Sequence, residues 1–163
     1  MNVIIPKPLT KDIPTEFIGS GTRAIKRRYL NIRFDERLTG YALQEDLDWS
    51  YRLHKKYGTL VLLKKKKLYH YYSLTSRMHI KQIIFTKLIY LTYIFQKNQE
   101  QKLLNLTLFW WSMIGRIMLK LLNVVLKPKK SNFMDFIYTS LAVCSLLKHF
   151  REIKENPNYF KEE

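Results

Sequence analysis

The sequence predicts an α/β unit over residues 1–78, followed by an amphipathic, mostly α-helical region over 79–153 and a polar, frayed end at 154–163. Three observations predict this division. Thr59–Leu63 is a short continuous apolar run, which suits a buried strand, and Leu68–Tyr72 beside it is β-prone through its aromatics. Gln44–Tyr57 carries Leu47, Tyr51 and His54 at helical spacing and stops at Gly58. From about residue 79 the chain becomes long, apolar and aromatic, punctuated by Lys and Arg, with no repeat and no Gly/Ser linker.

Element by element, the Pro-interrupted start up to Pro14 reads as extended chain, and Gly19-Ser20-Gly21 permits a tight turn. Thr22–Leu30 fits two helical turns, and Phe34-Asp35-Glu36 leads to a turn at Thr39-Gly40. Three helices are expected in the second half: His79–Lys97, Leu103–Leu126 and Phe133–Arg151. Pro128 separates the last two, and Asn132 with Asp135 has the spacing of a capping box.

A net charge of +16, with 47% apolar and 26% charged residues, excludes a disordered acidic or low-complexity chain and indicates an anionic partner. The single cysteine, Cys144, excludes an intrachain disulfide framework and a thiolate metal site; its apolar setting predicts a small packed hydrophobe. No apolar stretch follows a basic start, so no secretory signal is expected.

Chemistry concentrates in Gln44–Arg52, where Glu45, Asp46 and Asp48 fall within four residues at a helix start. Acidic side chains there complement the helix dipole, which is the purely structural explanation. The functional one is that a carboxylate projected toward a cleft takes a proton from an acceptor hydroxyl. Asp46-x-Asp48 does not suit a metal grip, because residues two apart on a helix diverge.

The order of these features resembles the second half of family 2 glycosyltransferases. The Gly19–Gly21 turn leads into Thr22–Leu30, and Phe34-Asp35-Glu36 precedes the Glu45-Asp46 pair, which opens a helix containing Arg52. The Gly58 turn, a strand and His70 then follow. The likeness covers residues 17–77. It implies a partial GT-A-like fold and an inverting sugar transfer from a nucleotide-sugar donor to a saccharide or lipid-linked acceptor. In that scheme Asp46 is the base, Glu45 orients the acceptor, and Gly19, Gly21 and Trp49 lie on the substrate side. His70 matches a position that helps hold a divalent metal, Mn or Mg, on the donor diphosphate; an ordinary half-buried strand histidine is its structural alternative. The family's nucleotide-binding half and its Asp-x-Asp have no counterpart here, since Asp12 stands alone in the roughly 20 preceding residues. A fragment, or a chain completed by another, is therefore expected, inactive by itself.

Leu103–Leu126 is long enough to span a bilayer and carries Asn105, Ser112, Arg116, Lys120 and Asn123 on one stripe. Arg116 and Lys120 near mid-depth, with lysines on both flanks, favour helices lying in the interface of an anionic cytoplasmic leaflet over one or two spans. A non-catalytic basic membrane protein or partner subunit is the alternative function. Nucleic-acid binding, suggested by Lys64–Lys67 beside Tyr69, Tyr71 and Tyr72, is disfavoured because the cations are scattered among apolar residues.

Overall fold

The structure, a computed structural model of the 163-residue chain, describes residues 11–19, 24–40, 43–58, 60–62 and 78–159, with Arg28 and Leu62 described in backbone only. Its elements are β1 (Ile13–Thr15), a single 3-10 turn (Arg27–Tyr29), α1 (Glu45–Tyr57), β2 (Leu60–Leu62), α2 (Ile80–Asn98), α3 (Leu103–Leu126) and α4 (Lys130–Glu155). Two compact units result: residues 1–36 with 44–77, and residues 37–43 with 78–163.

The α/β expectation is overturned. Among the described residues there are four α-helices and one two-stranded sheet, in which β1 and β2 run antiparallel with Ile13 opposite Leu62 and Thr15 opposite Leu60. A GT-A-like unit needs a broad sheet covered by helices. Here both strands are three-residue edges, and Pro14 sits in one of them, where a residue without an N–H is tolerated. Such a ribbon buries little, and among the described residues of the first unit the buried ones, Asp48, Trp49, Ser50 and Leu53, all belong to α1.

Helix α1 starts and stops where the pattern predicts. Its first turn holds Glu45, Asp46 and Asp48 and its last turn His54, Lys55 and Lys56, so charge at both ends complements the helix dipole. Gly58 ends it at φ 89°, a left-handed backbone that side chains rarely adopt. The buried face differs from the predicted one: Trp49 and Leu53 are buried with Asp48 and Ser50, while Leu47, Tyr51 and His54 are half-buried. Thr22–Leu30 yields only the 3-10 turn among its described residues.

The second unit is built around α4, which packs against both α2 and α3. Ile89, Tyr90, Met113, Ala142, Leu146 and Ile153 are fully buried at its centre. Phe95 of α2 stacks on Phe109 of α3 at 4.4 Å between ring centroids. A kink at His149 breaks the α4 ladder, and the Phe150 carbonyl just past it accepts from Gln96 Nε2 at 2.5 Å.

Helix α4 begins at Lys130, three residues before the predicted start. Asn132 caps no N-terminus. Its Nδ2 donates to the Lys127 carbonyl (2.7 Å) and toward that of Asn123 (3.4 Å), satisfying carbonyls at the end of α3. Asp135 pairs with Lys120 instead of closing a capping box. Cys144 is exposed rather than packed. The expected fraying does not hold through residue 159. Pro157 and Tyr159 are buried, and Asn158 bonds the Arg37 carbonyl through Nδ2 (2.7 Å) and the Thr39 hydroxyl (2.9 Å) and Tyr90 hydroxyl (2.7 Å) through Oδ1. That one amide fastens the chain end and segment 37–39 to α2.

Candidate functional site

Side-chain hydrogen bonds fix α1 within the first unit. The Ser50 hydroxyl, fully buried, accepts from the Ile18 N–H (3.2 Å) and donates to the Ile18 carbonyl (3.1 Å). Trp49 Nε1 donates to the Ile32 carbonyl at 2.8 Å, and its ring lies 6.0 Å from that of Phe34. Arg52 Nη2 donates to the Arg33 carbonyl at 2.8 Å. The half-buried Gly19 follows Ile18, the residue that Ser50 grips.

The three acidic residues of α1 are in different situations. Asp48 is fully buried, and both Arg52 Nε (2.8 Å) and Nη2 (2.7 Å) reach its Oδ2. This is a carboxylate one turn before an arginine, the favourable order on a helix. Glu45 and Asp46 are half-buried in the first turn. Asp46 and Asp48 point about 200° apart around the helix axis, at about 100° per residue. Asp48 therefore serves the fold, and Asp46 is directed elsewhere.

Of the residues singled out from sequence, Glu45, Asp46 and Trp49 share the first turns of α1, and Gly19 adjoins Ile18, which is bonded to Ser50 of the same helix. Gly21 and His70 lie outside the described residues. No group of three or more His, Cys, Asp or Glu that could hold a metal ion occurs among the described residues. Sequence reasoning missed Ser50 and the structural role of Asp48. The Asp48-to-Arg52 spacing was a readable signal for the pair, whereas a serine's partner 32 residues away leaves no local trace.

The second unit carries a different feature. Helix α3 is long and apolar enough to cross a membrane, and only 11% of its most apolar 18-residue window is buried. Phe109 and Met113 are buried, with Leu106, Trp110, Ile117 and Val124 half-buried beside them. Around the rest of the cylinder Leu104, Leu108, Trp111, Met118, Leu122 and Val125 are exposed. The polar stripe lies between these faces. Within it, Lys120 Nζ meets Asp135 Oδ2 at 2.9 Å, while Arg116 is exposed.

Fold and site define a class: a two-unit, mostly helical protein with, among the described residues, one helix long and apolar enough to cross a membrane and a carboxylate-bearing helix start. Compared with protein families, curated proteins and solved structures, the chain matches none.

Proposed function

We propose that this chain is the acceptor-side part of an inverting sugar transferase, held at the cytoplasmic face of a membrane by its helical unit. The reading rests on the carboxylates that open α1, where Asp48 is fully buried against Arg52 and Asp46 is half-buried in the first turn on a different side of the helix. Asp46 takes the proton of an acceptor hydroxyl as that oxygen bonds to the anomeric carbon. The bond from that carbon to the donor phosphate breaks, and the nucleoside diphosphate leaves with the electron pair. One displacement inverts the centre and needs no protein nucleophile. Glu45 orients the saccharide or lipid-linked acceptor, and Trp49, buried against Ile32, steadies the helix start that carries both carboxylates. A companion chain supplies the nucleotide-sugar site.

The exposed apolar face of α3 supports the membrane placement, and Arg116 supports an in-plane orientation. An arginine at mid-span costs about 2.5–3.5 kcal/mol by insertion scales, whereas at the rim of an interfacial helix it meets headgroups. Lys127, Lys129 and Lys130 are exposed at one end of α3 and Lys102 at the other, suiting an anionic leaflet.

The test combines the chain on phosphatidylglycerol vesicles with a companion nucleotide-binding chain, labelled sugar nucleotides, Mn²⁺ and membrane-derived acceptors. Transfer that requires both chains supports the proposal. A chain that floats with vesicles yet supports no transfer is a non-catalytic membrane subunit.

A further inference from the structure

We infer that Asn158 is a latch: it clamps residues 37–39 to α2 and thereby fixes the turn from which α1 starts. The inference rests on the fold, not on the transferase chemistry or the membrane placement. Residues 37–43 belong to the helical unit, whereas the chain on either side of them, Glu36 before and Gln44 after, belongs to the first unit. The chain therefore visits the helical unit and returns at Gln44, the residue before α1. Leu38 is buried in the cluster that contains Tyr90 and Tyr93, and Leu43 packs half-buried against the same cluster.

The clamp uses both halves of one carboxamide. Asn158 Nδ2 donates to the Arg37 carbonyl at 2.7 Å, and Oδ1 accepts from the Thr39 hydroxyl at 2.9 Å and the Tyr90 hydroxyl at 2.7 Å. Tyr90 is fully buried and its hydroxyl also lies 3.0 Å from the Thr39 carbonyl, so Asn158 and Thr39 share one donor. The Arg37 guanidinium sits over the Tyr93 ring, 5.0 Å from its centroid. On either side of Asn158, Pro157 and Tyr159 are buried, and the Tyr159 and Ser145 hydroxyls are 3.1 Å apart. Neither a carboxylate nor an aliphatic side chain supplies both the donor and the acceptor that this position uses.

The turn that the clamp fixes is strained. Gln44 has φ 72°, a left-handed backbone that non-glycine residues rarely adopt, where an N-cap is normally extended. Its carbonyl nevertheless accepts from the Leu47 N–H at 3.0 Å and the Asp48 N–H at 3.1 Å. Such strain persists only where the surroundings impose it, and Leu43, anchored on the helical core, immediately precedes Gln44. Once Asn158 releases residues 37–39, the half-buried Leu43 is a weak anchor. Gln44 then relaxes, its carbonyl leaves both N–H groups, and the first turn of α1 opens. Asp46 lies in that turn, so the latch governs how firmly its carboxylate is placed.

The experiment is amide-resolved hydrogen exchange of the full chain in detergent. Asn158→Leu should speed exchange of the Leu47 and Asp48 amides at least about tenfold, or about 1.4 kcal/mol, while amides in the last turn of α1 change less than about twofold. Gln44→Gly frees the left-handed turn of strain, so in the Asn158→Leu background it should return both amides to within about threefold of wild type. Lys120→Met weakens the helical unit without touching the latch and should leave them within about twofold. Circular dichroism checks helical content. If Asn158→Leu unfolds, Thr39→Val replaces it, with exchange at least about threefold faster expected from the loss of one hydrogen bond. Wild-type exchange at Leu47 and Asp48 in a folded latch variant overturns the proposal. Equal acceleration in Lys120→Met also overturns it, because the amides then report only the stability of the helical unit. So does failure of Gln44→Gly to slow the exchange. None of these outcomes depends on sugar transfer or on vesicle binding.

Discussion

Replacing Asp48 by Asn separates the carboxylate that holds the fold from the one proposed to do chemistry. Asp48 is fully buried and receives two contacts from Arg52, at 2.8 and 2.7 Å, on one oxygen. Removing one partner of a buried ion pair costs about 3–5 kcal/mol when the other charge is trapped. Arg52 is 26% exposed and also holds the Arg33 carbonyl, so part of its charge remains satisfied. Discounting for that solvent access gives about 2 kcal/mol. Asp46→Asn, at a half-buried first-turn position, weakens a charge–dipole interaction of about 0.3–1 kcal/mol and keeps an amide oxygen that still accepts hydrogen bonds. Hydrogen exchange of α1 amides reads the difference locally. At about 1.4 kcal/mol per factor of ten, Asp48→Asn should speed exchange about 30-fold and Asp46→Asn no more than about fivefold. Equal acceleration in the two variants would refute the assignment of Asp48 to structure and Asp46 to function.

Three further outcomes follow from the same geometry. Ser50→Ala strips the Ile18 N–H and carbonyl of their partner and should cost about 1–3 kcal/mol, read as faster exchange in peptides around Ile18. Lys120→Met leaves Asp135 carrying an uncompensated charge against α3, so the single variant should melt lower than Lys120→Met with Asp135→Asn, a coupling of about 0.5–3 kcal/mol in a double-mutant thermal cycle. Trp111→Glu, placing a charge on the exposed face of α3, should reduce vesicle flotation more than tenfold, while raised salt weakens binding only in part because apolar burial persists.

Much of the helical content was legible because its signals are local. Gly58 announces the end of α1, and the apolar periodicity between Leu103 and Leu126 returns α3 at those residues. What escaped depends on contacts remote in sequence. Asn132 and Asp135 have capping-box spacing, yet the short turn at Lys127–Lys129 folds α4 back along α3. Lys120 and Asp135, at similar distances from that turn, then meet, and Asn132 reaches the end of α3. Cys144 lies in an apolar run, but it points along the same outward face as Leu141 and Leu147, both exposed. The polar tail ending at Tyr159 gives no sign that Asn158 will bond three groups 68 to 121 residues away. The sheet was overpredicted for a related reason: an apolar run such as Thr59–Leu63 specifies a strand but not the number of its neighbours. In the candidate site, clustering of acids at a helix start was visible, whereas which acid is buried depended on Arg52 and on the segments packed over Trp49 and Ser50.

The most direct test of the proposed role is the rate of sugar transfer by the vesicle-bound chain and its companion, with Asp46→Asn measured beside wild type. A general base contributes about 10²–10⁴-fold, so the variant should lose at least about 100-fold in kcat with little change in acceptor KM. Transfer at the wild-type rate by Asp46→Asn would contradict the account.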